Sequence, residues 1–367
     1  MASSTWDRPT FSSTSGSPTP CACEAEGRQA SRALQGCCEA SRARLPCPAM
    51  HLVVANEAQK AERDRHTYTA WGSPLTVEQF LEREQRLRAH PWSRDTMRTW
   101  LLCDDAGRVL TSCETFRTPS YLRGPDCQTT RGDSFVIASV YTEPALRGHG
   151  HATRLMDQVA AELERTEPDA QAAVLYSDVG ARIYRRSGYL EVPAWDWHLP
   201  VGNGPLIRKV DALLEDADVP SALERMRRPE VPFYLWPGAS QVDWHLERER
   251  IYAELLRRPR PRACGAVVGA STALWAMMAR QGELVVLMLD ARSEDDAAAL
   301  LEAAGAQAHK AGLSKVVLWE EPGTMPWVAR LPEASREARD GSLPMVRPLR
   351  EGLPTAADIP FARALWA

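Results

Sequence analysis

The stretch 134–164 limits what this chain can fold into more than any other. Residues 134–141 read as a buried strand, a turn carrying Gly148 and Gly150 follows, and a helix begins at once over 152–164, with Leu155, Met156, Val159 and Leu163 on one face and charges on the other. A helix start points free backbone N–H groups outward at the positive end of its dipole, and the two glycines remove the side chains that would keep an anion away from them. The pattern predicts an anion cradle suited to a phosphate. It is not a dinucleotide fingerprint, which would need a third glycine where Thr153 stands, and it lacks the Gly-Lys-Ser/Thr of a P-loop. His149 and His151 have no Asp, Glu or Cys beside them to complete a ligand set, so no metal is expected. Taken alone, the same residues would also make an ordinary glycine-rich turn.

Around this turn the patterning predicts a strand at 51–55, a helix over about 75–89 with Leu75, Phe80, Leu81 and Leu87 at helical spacing, and strands at 99–103 and 108–116 joined by the turn 104–107. After the amphipathic helix come a strand at 172–176, a short helix at 179–186 ended by Gly188, and an extended run at 189–199. The order is β-α-β-β-β-α-β-α-β. A break at 202–205 and helices near 208–227 and 242–256 then lead into a second lobe. With 367 residues, 44% of them hydrophobic, about two domains are expected. The divisions read from the sequence are a tail at 1–50, a first lobe at 51–200, a helical linker at 201–262 and a second lobe at 263–367.

Residues 1–50 contain no Val and no Ile, so that stretch is expected to be disordered: it has too little apolar surface to offset chain entropy. Five of the nine cysteines fall there, in no zinc-module spacing, and free thiols are expected throughout. Lys plus Arg number 44 against 48 for Asp plus Glu, a formal net charge of -4 that gives no pull toward nucleic acid or an anionic membrane. The basic run 257–262 is interrupted by Pro259 and Pro261 and reads as a solvated linker. The longest nearly apolar stretch, 266–279, falls short of the ~20 residues a membrane span requires. Without an apolar leader or an acid-poor transit segment, a cytoplasmic location is expected.

Arg147-Gly148-His149-Gly150-His151-Ala152 resembles a shortened form of the Arg-x-x-Gly-x-Gly/Ala loop that GNAT-type N-acetyltransferases carry between a strand and an amphipathic helix. Leu175 through Tyr189, with Tyr184 before Gly188-Tyr189, resembles the strand and short tyrosine-bearing helix that follow in that family. Val77-Glu78-Gln79-Phe80, Ser112-Cys113-Glu114-Thr115, Ile137-Ala138-Ser139-Val140-Tyr141-Thr142 and Leu175-Tyr176-Ser177-Asp178, continuing through Trp244-His245 and Leu318-Trp319, narrow the resemblance to the fungal L-lysine N6-acetyltransferases. The fold this implies is α+β: a GNAT-type mixed sheet with flanking helices, plus a second, GNAT-like or mixed α/β C-terminal lobe.

The resemblance implies acetyl-CoA as donor, a small-molecule amine or amino acid as acceptor, and the ε-amine of free lysine as first choice. A protein or peptide acetyltransferase and a CoA-binding protein without catalysis are the alternatives. By the same resemblance Val140, Tyr141 and Thr142 would offer backbone to the pantetheine arm and the thioester carbonyl, Arg147, Gly148, His149, Gly150, His151 and Ala152 would hold the pyrophosphate, Ser177 would touch the cofactor, and Tyr184 would protonate the leaving thiolate. Tyr184 could instead serve packing. Deprotonating a lysine ammonium of pKa ~10.4 near pH 7 costs about 4 kcal/mol, which asks for a base. Glu114 is the candidate, with Glu143 and Asp178 as rivals and Arg117 as a carboxylate partner if the strand ends before it. In the second lobe, strands at 265–268, 273–279 and 283–290, a helix over 294–311 and a strand at 315–319 repeat the first-lobe order. There the turn before the helix has no glycine and puts Glu294, Asp295 and Asp296 in the first helical turn, which predicts a lobe that binds no CoA.

Overall fold

The computed structural model describes residues 50–201, 208–260, 262–278, 281–321, 325–354 and 356–367. The tail expected at 1–50, all but Met50, and the break at 202–205 lie outside them. The first half runs β1 (His51–Val54), α1 (Glu57–Trp71), α2 (Val77–Ala89), α3 (Pro91–Thr96), β2 (Met97–Cys103), β3 (Val109–Arg123), β4 (Thr129–Tyr141), α4 (His151–Thr166), β5 (Ala170–Ser177), α5 (Arg182–Arg185) and β6 (Leu190–Glu191). The first half ends with β7 (Trp195–Pro200), and the second runs β8 (Ala212–Leu214), α6 (Val219–Arg225), β9 (Phe233–Leu235), α7 (Ala239–Leu255), β10 (Gly265–Val268), β11 (Ser271–Met278), β12 (Glu283–Asp290), α8 (Glu294–Lys310), β13 (Lys315–Trp319), α9 (Met325–Val328), β14 (Ser335–Ala338) and β15 (Leu343–Pro348).

Local chemistry sets several of these boundaries. Asn56 and Thr76 each accept a hydrogen bond from the N–H three residues on, Gln59 and Gln79 answer in kind, and these two capping boxes start α1 and α2. The β2–β3 hairpin closes where Asp104 Oδ1 accepts from the N–H groups of Ala106 and Arg108 and Gly107 takes a φ of 79°. The apolar periodicity of the sequence gave no sign of α1. Its buried residues are Arg63, Asp64 and Thr67, so the inward face of this helix is polar and leaves no apolar periodicity to read.

Two mixed sheets result, and each is completed by the other half of the chain. The first has the order β1-β2-β3-β4-β5-β15-β6, with β9 also paired to β3; the second has the order β14-β7-β13-β12-β11-β10-β8. Strand β15, near the end of the chain, runs antiparallel to β5 from Leu343 opposite Ser177 to Pro348 opposite Ala172. Strand β7 leaves the first half and pairs with β13. The lobe boundaries expected at 200 and 263 therefore do not coincide with the sheets. The segment expected as a helical linker contributes β8 to the second sheet and β9 to the first. Strands pair through backbone groups that every residue carries, so nothing in the composition of β7 or β15 records which sheet it joins.

The layers are α4, first sheet, a shared core, second sheet, α8. Phe135, Ile137, Ala173 and Leu175 face Leu155, Met156, Val159 and Leu163 of α4. The alternate residues Val136, Ala138 and Val174 join Trp244, Ile251, Ala276, Val285 and Val317 in the shared core, and Trp275, Leu284, Val286 and Val316 face Leu300, Leu301 and Ala304 of α8. Between the sheets, where the shared core gives way to polar residues, lies a cleft of about 580 Å³.

Candidate active site

The cleft opens where β4 and β5 separate. These parallel strands stay in register only as far as Ile137 opposite Leu175, although β4 continues to Tyr141 and β5 to Ser177. On its other edge β4 bulges against β3: Ser112 pairs with Tyr141 and Glu114 with Ala138, which leaves Ser139 and Val140 opposite Cys113 alone, and Ser139 adopts a left-handed φ of 52°. Ser139 and Val140 line the cleft. Tyr141 is buried, and its carbonyl accepts from Thr111 Oγ1, which in turn accepts from Thr142 Oγ1.

Beyond the splay the chain forms the turn and helix that open the sequence argument. Gly148 and Gly150 have φ of 84° and 78°, and a Cβ built on either would meet nothing within 4 Å. The helix α4 starts from Gly150 with no side-chain cap and no acidic residue in its first turn. Its first N–H groups thus face an open concavity bounded by Arg147, which folds back to donate from Nε to the Thr142 carbonyl, and by the stacked rings of His149 and His151. Burial, followed by His149 and Arg154, lowers the pKa of His151. Ser177 is buried, its hydroxyl donates to the Gly180 carbonyl at 2.8 Å and accepts from the Val179 N–H, and it shapes the turn beside the splay. These residues fit a pyrophosphate on the α4 start with an extended arm between β4 and β5.

Glu114 is 6% exposed and, as the partner of Ala138, points into the cleft. Arg63 of α1 binds it at 3.0 Å through Nη1, donates through Nη2 to the carbonyl of bulged Ser139 at 2.7 Å, and reaches Ser112 Oγ through Nε. One guanidinium thereby ties the carboxylate to the β4 bulge. Burial raises the pKa of Glu114, against the opposing pull of Arg63. Of the rival carboxylates, Glu143 is half-buried beside His66 and is not part of the cleft lining, whereas Asp178 lines the cleft and accepts from the N–H and hydroxyl of Ser342. Arg117 pairs with Phe135, faces away from the cleft and lies 3.9 Å from Asp133, because β3 does not end between residues 114 and 117.

Tyr184 of α5 lines the cleft, and burial pushes its pKa up to about 12, which keeps its hydroxyl protonated near neutrality. The floor beyond Glu114 is a charge network the sequence reading did not find: Arg88 holds Asp64 through two bonds of 2.9 and 2.6 Å, and Arg83 holds Glu84 while lying over Phe80. The one signal available was the Asn56-x-x-Gln59 box, which marks a helix start ahead of Arg63.

The splayed, bulged strand pair and the uncapped helix start both lie inside a segment that matches a known family. Residues 63–189 match the Acetyltransferase (GNAT) family, and residues 209–361 match the LYC1 GNAT-like C-terminal domain. The chain carries a GNAT acetyltransferase domain over residues 63–189. It is an acetyl-CoA-dependent N-acetyltransferase with a second GNAT-like domain. A lysine acetyltransferase of Yarrowia lipolytica (strain CLIB 122 / E 150) is 24% identical over 321 residues, covering 71% of this chain and 82% of that protein. Two solved structures share the fold. A probable N-acyltransferase from Enterococcus faecalis V583 has a TM-score of 0.56 at 14% identity, and a GCN5-related N-acetyltransferase from Kribbella flavida has 0.53 at 19%; each alignment covers 82% of this GNAT enzyme and 72% of the other chain. Among the described residues no group of His, Cys, Asp and Glu is placed to hold a metal ion, and no helix is long and apolar enough to cross a membrane.

Proposed function

We propose that the enzyme transfers the acetyl group of acetyl-CoA to the ε-amine of free L-lysine, with Glu114 as general base and Tyr184 as general acid. The observation that carries this reading is the link Glu114–Arg63–Ser139, which sets a buried carboxylate beside the strand bulge at the mouth of the splay. Bound acetyl-CoA supplies an acetyl thioester, the acyl group that the acceptor amine attacks. The N–H groups of Val140 to Thr142 align the pantetheine arm and polarise the carbonyl, and those at the start of α4 with Arg147 hold the pyrophosphate. Glu114, its pKa raised by burial, takes the ammonium proton, and the Tyr184 hydroxyl gives one to the thiolate. The lysine acetyltransferase relative supports the choice of acceptor, and the cleft walled by both sheets favours a small molecule over a peptide.

The test is a pH profile. Glu114→Gln should lower kcat for lysine by about 10²-fold near pH 7 and recover toward high pH, where the amine loses its proton unaided; Tyr184→Phe should lower kcat by about 10²-fold at unchanged acetyl-CoA affinity. A flat ratio of variant to parent across pH removes Glu114 as base. Brisk turnover of a peptide or polyamine with none of lysine removes the lysine assignment, and no turnover of any amine removes catalysis.

A further inference from the structure

The wall of the cleft opposite Glu114 is built from α7, β13 and the last residues of the described chain, and it holds an arrangement that the reaction outlined above does not use. Arg363 is 6% exposed, and its guanidinium lies 4.8 Å from the ring centre of Trp319 and 4.2 Å from that of Trp366. Among the described residues its buried Nη1 has no hydrogen-bond partner, and its Nη2 reaches the Met278 sulfur at 4.0 Å. The nearby charges are mostly of the same sign. Arg248 lies over Trp366, Arg339 over Trp319, and of the carboxylates on this side Asp196 is bound to Arg339, Glu283 to Lys315, and the charge of Glu321 acts on Tyr176. Two more buried polar atoms on the cleft lining lack partners, Tyr176 Oη and Trp244 Nε1. Burial raises the pKa of Tyr176, so its hydroxyl keeps a proton to give. An indole N–H and a guanidinium can only donate.

A buried donor left unpaired costs roughly 1–3 kcal/mol, and more when charged, so three of them around one concavity call for an acceptor that arrives with the ligand. A planar, two-oxygen anion suits a guanidinium packed against two indoles. We propose that Arg363, with Tyr176 beside it and Trp244 on the same cleft lining, binds the α-carboxylate of the acceptor and so restricts this enzyme to free amino acids over simple amines and peptide-internal residues. The inference rests on the small-amine reading above and assigns to this wall the role that Arg117, on the far face of the first sheet, cannot fill.

The test compares L-lysine with L-lysinamide, which offers the same ε-amine without the carboxylate. The parent should favour lysine in kcat/KM by about 100-fold, chiefly through KM, and Arg363→Met should bring that ratio close to one. Arg363→Lys should restore part of it, and Tyr176→Phe, which removes one hydroxyl, should lower it about 5- to 10-fold. Thermal stabilisation by each ligand in the presence of CoA gives a readout without turnover: the shift with lysine should exceed that with lysinamide in the parent only. Equal use of both acceptors by the parent, or an equal loss on both in folded Arg363→Met, overturns the subsite. Should Arg363→Met fail to fold, an unchanged ratio in Tyr176→Phe overturns it. If lysine is not a substrate but another free amino acid is, and its amide is discriminated against, the subsite stands and the lysine assignment falls. Turnover confined to amines without a carboxylate removes both.

Discussion

The two halves of this molecule repeat one architecture and differ in the chemistry of a single helix start. Reading outward through the parallel pair, the first sheet runs β1-β2-β3-β4-β5 and the second β8-β10-β11-β12-β13; in each, the fifth strand is followed by one donated by the opposite half. Helix α4 precedes β5 as α8 precedes β13. Yet α4 begins at a left-handed glycine with no cap, whereas α8 begins at Ser293, whose Oγ accepts from the Asp296 N–H. The Asp296 carboxylate accepts from Ser271, and Asp290, at the end of β12, is held by Arg227 and Arg292. The second lobe has filled its helix start with its own carboxylates, which satisfy the dipole and repel a pyrophosphate. On the reading proposed above, the fold alone does not make a donor site: open N–H groups do, and α4 keeps them where α8 does not.

The severest way to break this comparison is to separate the halves. A chain of residues 50–200 lacks β15 beside β5 and exposes Val136, Ala138 and Val174, so it should show no cooperative thermal transition. A folded fragment that binds acetyl-CoA would mean that the exchanged strands are dispensable. Next in size, Gly150→Asp should weaken acetyl-CoA binding beyond about 100-fold by calorimetry, since it places a carboxylate at the uncapped start and strains a φ of 78°. Its counterpart Ser293→Ala should cost about 1 kcal/mol of stability and leave acetyl-CoA affinity and a stoichiometry of one unchanged. A second binding event, or lost affinity in Ser293→Ala, would give the second lobe a donor site after all.

A pH dependence contrasts two buried carboxylates. Glu114 has Arg63 at 3.0 Å, while Glu249 of α7 accepts from the Met277 N–H and from Arg260, and burial raises its pKa to about 7. A folded-state pKa above the unfolded value means that protonation favours the fold. The stability contributed by Glu249 is therefore full below about pH 4.5 and is lost as pH rises through about 7. Glu249→Gln should remove a loss on the order of 3 kcal/mol between pH 5 and 8, read as a flatter denaturant midpoint against pH. An unchanged slope would place the titration elsewhere.

Much of the donor side was legible because it is local. The strand, Gly148, Gly150 and the apolar face of α4 lie within about one turn or strand of each other, and the acidic first turn of α8 is equally plain. Helix α1 was not legible, because its inward residues Arg63, Asp64 and Thr67 are polar, and periodicity arguments look for apolar ones. For the same reason Arg363 and Trp244 carried no signal of a shared site.

What the sequence determined by itself is the repeated strand and helix order of the two halves and the open or filled start of each long helix, since propensity, capping and glycine geometry act over a few residues. The tertiary structure alone decided that β7 and β15 change sheets, that Arg63 reaches 51 residues along the chain to Glu114, and that Arg117 faces away from the cleft. Backbone pairing is nearly blind to side-chain identity, and a buried charge takes its partner from whatever the packing brings near. Those choices follow from closing two sheets on one core.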